Sequence, residues 1–359
     1  MHIPDGYLSP STCVTLYAFA ASGWYAALRR IRRLLATRMI PLISIFAAFS
    51  FVVMMFNIPL PGGTTGHALG VTVAAIVLGP SGSILAMSIA LAIQALFFGD
   101  GGITTLGANC FNMAIVGSLV AYGVYHLIAG RSQLGARRRA LAAAFAGYVS
   151  INAAALLTAF EFGIQPTLFH DASGTPLYAP YPLHVAIPAM MIGHLTFAGL
   201  AEAVISAGMV SYLQSSDIVL LRGIGEFPGL PTVANPVENS SLVRLWWIVG
   251  LLMLCTPLGI LAAGTAWGEW SSAELANPTM RSHIEAASGN HSAPSSVPAG
   301  LQKLSAMWAA PFPGYAPRFI KSATFGYVLS AMFGVGLLVL GALVTTRITR
   351  RLHKQESRP

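Results

Sequence analysis

The amino-acid sequence predicts an all-α integral membrane protein of about nine transmembrane helices, with its N-terminus extracytoplasmic and its C-terminus cytoplasmic. Three observations predict it. Of 359 residues, 55% are hydrophobic and only 9% charged, outside the range of soluble globular domains. Apolar runs long enough to cross a hydrocarbon layer of roughly 30 Å recur along the chain. The basic residues fall between alternate runs.

The first run, near 11–29, follows the start "MHIPDG" and is itself followed by Arg29, Arg30, Arg32, Arg33 and Arg38. Signal peptides carry basic residues before the apolar run, so an uncleaved first span and a persistent Met1 are expected. Runs near 39–58, 67–80 and 82–98 come next, the third short and flanked by glycine, as for a broken or lipid-screened segment. Runs near 106–129, 140–162 and 183–213 complete a first unit dense in Gly, Ala and Ser, with small-x-x-x-small pairs Ala86/Ala90 and Ala143/Gly147 suited to close helix packing. A cytoplasmic linker is expected over 214–243. Two further runs, near 245–264 and 320–346, form a second unit over 244–359, with an extracytoplasmic loop over about 265–317.

An outside start places Arg131, Arg137–Arg139, Arg222, Arg244 and the basic tail from Arg347 onward on the cytoplasmic side. The formal net charge of +8 is thus a topology signal rather than a nucleic-acid footprint. The expected location is the cell's inner (cytoplasmic) membrane, multi-pass in the lipid bilayer. Trp246, Trp247, Trp267, Trp270 and Trp308 stand near span ends, as an interfacial aromatic belt requires. "SGNHSAPSSVPAG" in the outer loop reads as mobile. Cys13, Cys110 and Cys255 lie in apolar runs and read as packing residues, without a disulfide.

The chemistry concentrates at the outer face. A terminal residue followed by histidine is a chelator: the Met1 amine, the backbone nitrogen of His2 and its imidazole close adjacent rings on one ion. Ni²⁺, Cu²⁺ and, less readily, Co²⁺ accept such a nearly planar nitrogen set, whereas Zn²⁺ prefers a tetrahedron. His67, after the Gly/Thr loop "PLPGGTTGH", is the natural fourth nitrogen. Imidazole ligands normally have their other ring nitrogen held by a carboxylate or carbonyl, so Asp5, Asp100, Asn109 and Asn112 are expected around the site. Asp5 and Asp100 also read as Asp-Gly turn residues. His194 and Glu202, eight apart on one span, read as an ion path or an interhelical hydrogen bond. Glu161 and His184 are the other polar residues near spans; His283 and His291 lie in the outer loop, able to collect metal loosely.

"MHIPDG", "GGTTGHALG", "FFGDGGITTLGANCFNMAIVG" and "GHLTFAGLAEAVISAGMV" together resemble the CbiM/NikM family over 1–213. These are substrate-capture (S) components of energy-coupling-factor (ECF) cobalt and nickel importers, a class of ABC transporter. The resemblance implies that Met1, His2 and His67 hold Co²⁺ or Ni²⁺ as transported substrate. It also implies partners: a membrane coupling (T) protein and cytoplasmic ATPase (A) subunits, with cobalt serving cobalamin biosynthesis in some members. Residues 244–359 resemble a fused CbiN/NikN-like accessory unit, although "FPGY" at 312–315 stands where an acidic Pro-Asp-Gly-type turn is usual. No G-x-x-x-x-G-K-[ST] occurs, so a transport component without its own ATPase site, rather than an enzyme, is expected. An intramembrane metalloenzyme would need a general base beside an open metal position, and no H-E-x-x-H occurs; an ATP-independent channel would need a polar path across the membrane.

Overall fold

The computed structural model describes residues 1–34, 39–129, 135–216, 218, 220–222 and 239–356. Most of the expected linker over 214–243, and with it Arg38, Arg131 and Arg358, lies outside the described residues.

Helix α1 (Pro10–Leu34) begins where its sequence says it should. The Ser9 hydroxyl accepts from the Thr12 amide at 3.2 Å, and Pro10 occupies the first helical position, where no amide hydrogen is needed. Helix α2 (Ile40–Met54) is apolar on every side and almost entirely buried, as an interior helix must be. A short antiparallel ribbon follows, β1 (Ile58–Leu60) against β2 (Thr64–Gly66), pairing Ile58 with Gly66. This is the Gly/Thr loop of the sequence, folded into a hairpin that delivers His67.

Helix α3 (Val71–Ile93) is not one rod. Gly79 has φ 73° and ψ 170°, a conformation open to glycine but not to side-chain-bearing residues, and Pro80 starts the chain afresh. The Ser83 hydroxyl donates to the Val71 carbonyl at 3.4 Å, whereas twelve residues of continuous helix would hold them roughly 18 Å apart. The chain therefore folds back at Gly79, and the expected third and fourth spans are its two arms. The short arm, 71–78, is wholly buried, so its exposed-backbone problem is met by protein rather than lipid.

A π turn (Gln94–Phe98) ends the long arm. Next come α4 (Leu106–Asn109), a π segment (Cys110–Val116) and α5 (Gly117–Ala129) as one apolar stretch, then α6 (Ala136–Leu168). Helix α7 (Leu183–Gly193) runs through a π turn into α8 (Gly199–Ser216). Gly147 of α6 lies against α8 so closely that an added Cβ would stand 2.7 Å from Ser206 Oγ, which is the expected use of a small residue there. All three cysteines are free.

Helices α9 (Asn239–Cys255) and α13 (Ala323–Glu356) supply the remaining two membrane stretches. Helix α13 packs on α2, where the Ser44 hydroxyl donates to the Leu338 carbonyl at 3.2 Å. The segment between α9 and α13 is folded. It holds α10 (Ser272–Ala276) with a reciprocal Ser271/Glu274 capping box, α11 (Pro278–Ala287) capped by Asn277, and α12 (Ala299–Leu304). Ile284 and Leu301 are fully buried. The stretch expected to be mobile is tied down: the Ala293 amide donates to Glu285 at 3.1 Å and the Gly300 amide to the Leu177 carbonyl at 2.8 Å. Trp267 and Trp270 are buried against Phe162 and Tyr181 rather than standing in an interfacial belt, because this segment closes over the bundle.

Candidate metal centre

Residues 1–9 run into the end of the bundle, and Met1, His2, Ile3, Tyr7 and Leu8 are all buried. Burying this strand-like segment obliges its backbone to find partners. Asn109 receives the Ile3 amide at 2.8 Å and donates back to the Ile3 carbonyl at 3.1 Å, while Gly102 and Thr105 also donate to that carbonyl. The Asp5 carboxylate accepts from the amides of Thr104 at 2.7 Å and Ile103 at 3.1 Å. The segment lies so close to Gly102 that a Cβ there would stand 2.3 Å from the Asp5 nitrogen.

This seating brings nitrogens together. His2 Nδ1 is 3.3 Å from His67 Nε2, and the rings are 5.0 Å apart. Two nitrogens bound at right angles to one ion about 2.0 Å away stand about 2.9 Å apart, so the pair is near that separation without an ion. His67 Nδ1 faces the Ala68 carbonyl at 3.1 Å, which fixes the tautomer with a lone pair on Nε2, toward His2. Burial, reinforced by the neighbouring His2 and chain-terminal amine, holds the His67 imidazole well below its ordinary pKa, so its neutral, ligating form is favoured.

Two carboxylates close the site from either side. Asp100 Oδ1 is 3.1 Å from His2 Nδ1, and Glu269 Oε1 is 2.9 Å from the Met1 amine. The potential ligand atoms of His2, Asp100 and Glu269 all lie within 4.8 Å of one another. Asp100 is itself oriented by Tyr315, whose hydroxyl donates to Oδ2 at 2.6 Å and accepts from Gln94 Nε2 at 3.0 Å.

Among the residues expected around the site, Met1, His2, His67 and Asp100 come together. Asp5 and Asn109 instead clamp the backbone of the segment that carries His2. Asn112 lies deeper, donating to Glu161 at 2.8 Å and Thr158 at 3.2 Å. Glu202 accepts from the amides of Leu69 at 2.7 Å and Gly70 at 2.9 Å and so anchors the turn just after His67. His194 donates from Nδ1 to the Met190 carbonyl at 2.8 Å, and its buried Nε2 has no hydrogen-bond partner among the described residues. Sequence reasoning missed Glu269, Tyr315 and Gln94. For Glu269 a signal existed: "WGEW" sets one carboxylate between two indoles in a chain with only 12 acidic residues.

The fold and site define a class: a multi-pass helical membrane protein with a buried nitrogen-rich cluster where the N-terminal segment enters the bundle. Residues 2–218 match the family described as the cobalt uptake substrate-specific transmembrane region, CbiM, and residues 242–351 match the PDGLE domain. The chain belongs to the CbiM family, with a fused NikN-like C-terminal unit. It is 51% identical to the fused nickel transport protein NikMN of Rhodobacter capsulatus, over 95% of this chain and 96% of that one. It is 37% identical to the probable fused nickel transport protein LarMN of Lactiplantibacillus plantarum, over 95% and 96% of the two chains. A crystal structure described as a truncated transition metal transporter, 51% identical, aligns with a TM-score of 0.56 over 60% of this chain and 99% of that chain.

Proposed function

We propose that this chain is the metal-capturing membrane component of an ECF-type importer for Ni²⁺ or Co²⁺. The Met1 amine, the His2 backbone nitrogen and Nδ1, and His67 Nε2 are the ligands. The observation that carries this reading is the approach of His2 Nδ1 to within 3.3 Å of His67 Nε2, with the His67 tautomer fixed by Ala68. Asp100 and Glu269 stay beside the ion as charge compensation, and Asp5, Asn109 and Glu202 hold the segment and the turn that bring the ligands together. Asn112 contributes one shell further out, through the bundle packing around Glu161.

Capture takes place on the extracytoplasmic side of the cytoplasmic membrane, as the distribution of arginines supports. Binding displaces protons from the amine and imidazole, and partner subunits, a T protein and A-type ATPases, drive release on the other side. The chain divides into a capture unit (1–213), a cytoplasmic linker (214–243) and an accessory unit (244–359); the two family matches, over 2–218 and 242–351, support that division. The metals named in the relatives support the choice of substrate. One residue inserted ahead of Met1 tests the chelate: uptake and retention of Ni²⁺ by the purified chain are expected to fall to background with expression intact, and unchanged retention would refute it.

A further inference from the structure

Two cavities lie in series between the accessory unit's outer segment and the capture unit. The outer one, about 480 Å³, is bordered by Pro176, Tyr181 and Ser295. The inner one, about 190 Å³, reaches Met1, Thr65 and His194. Three residues border both: His184, Val185 and His291.

The two histidines are exposed, and their rings stand 5.8 Å apart at 64°. Two imidazoles sharing one ion at about 2.0 Å per nitrogen place their ring centres roughly 4.5–6.4 Å apart, depending on the angle at the metal. His291 Nδ1 donates to the Ser288 carbonyl at 2.9 Å, which leaves the lone pair on Nε2. His184 is the second residue of α7. At the far end, His194 offers its unpartnered Nε2 to the inner cavity, 3% exposed and with Nδ1 held by Met190. An orphaned buried nitrogen is costly unless something visits it.

From this series we infer that the cavity between the two units is the route by which the divalent cation reaches the main site. His184 and His291 form a weak first binding site at its mouth, and His194 is the intermediate ligand before Met1. Two imidazoles on an exposed rim hold a transition ion loosely, so they raise its local concentration without trapping it. One imidazole in the inner cavity then offers a nitrogen part-way to the stronger set. This assigns the accessory unit a concrete share of the work, because His291, Ser288 and Trp267 all come from it. The inference rests on the proposed function above.

The test uses the full purified chain with Ni²⁺ as the only added ligand. Equilibrium retention reports the main site, and chelator-quenched loading at millisecond-to-second delays reports the route. In the H184A/H291A variant, retention of tightly bound Ni²⁺ should equal wild type, while loading at low micromolar Ni²⁺ slows at least fivefold and converges on wild type at high Ni²⁺. His184→Ala and His291→Ala are surface changes, so unfolding temperature serves as the folding control. Loading at the wild-type rate in a variant with intact retention overturns the route alone. A wild-type chain that retains no Ni²⁺ overturns the proposed function, and the route with it.

Discussion

The membrane helices on either side of the linker bury themselves to different degrees. In the most apolar stretch of Val71–Phe98, 78% of residues are buried, against 22% for Ser240–Leu261 and 28% for Ala323–Thr349. The earlier helices enclose an interior of their own, whereas the later pair lies along the outside, and the segment between that pair reaches Met1 and Asp100. Glu269 and Tyr315 are that segment's two contributions, one at the Met1 amine and one behind Asp100. On the proposed function the difference would separate two tasks, the first unit supplying the ligands and the second positioning and screening them.

Substitutions in each unit put that division to the test. The largest effect is expected from His2→Ala, which removes a chelating nitrogen, and Ni²⁺ retention should drop to background by metal analysis. If the chain still holds nickel, the first unit does not make the site. Gly102→Ala comes next, because its Cβ has no room beside Asp5. A loss of about 1–3 kcal/mol is expected from overpacking, read as a lower unfolding temperature together with weaker retention. Glu269→Gln should weaken binding about tenfold, as losing a partner around a ligand commonly does. A loss as complete as that of His2→Ala would make Glu269 a ligand and erase the proposed difference between the units. Tyr315→Phe removes one hydrogen bond to Asp100 and should cost roughly two- to tenfold in affinity, measured by competition with a chelator.

The smallest effect is one of pH on the metal-free chain. His67 is held neutral in the fold, so between its lowered pKa and the ordinary value of 6.5 the unfolded chain binds more protons than the native one. Stability then rises with pH across that window and declines on acidification below about 6.5. Thermal unfolding of wild type and His67→Gln at several pH values checks the sign: the variant should show less of the decline.

Much of this was legible in the residues themselves. The apolar runs give the helices, because the bilayer imposes a length rule on each segment locally. The Met1–His2 pair stands out for the same reason, since the chelate proposed for it would close on adjacent atoms. What stayed hidden depends on long-range contact. Glu269 meets an amine 268 positions away, and Tyr315 meets a carboxylate 215 positions away; no periodicity records which loop lies over which helix end. Asp5 and Asn109 illustrate a subtler limit. Their nearness to His2 was readable, but their partners are backbone groups, and a buried extended segment needs such partners before its imidazole needs any. The aromatic belt misled at Trp267 and Trp270 because an indole near a span end packs equally well under a folded cover.

The reversal at Gly79 bears on how a cation could cross. The arm that starts just after His67 turns back at Gly79 and is buried throughout 71–78, so packed protein rather than an opening follows the hairpin. Below the N-terminal segment the bundle interior still carries buried polar side chains, among them Asn112, Glu161, Ser83 and Ser118, each engaged in hydrogen bonds. On the proposed function, release past this arm would take a rearrangement of its packing, the step assigned there to the partner subunits.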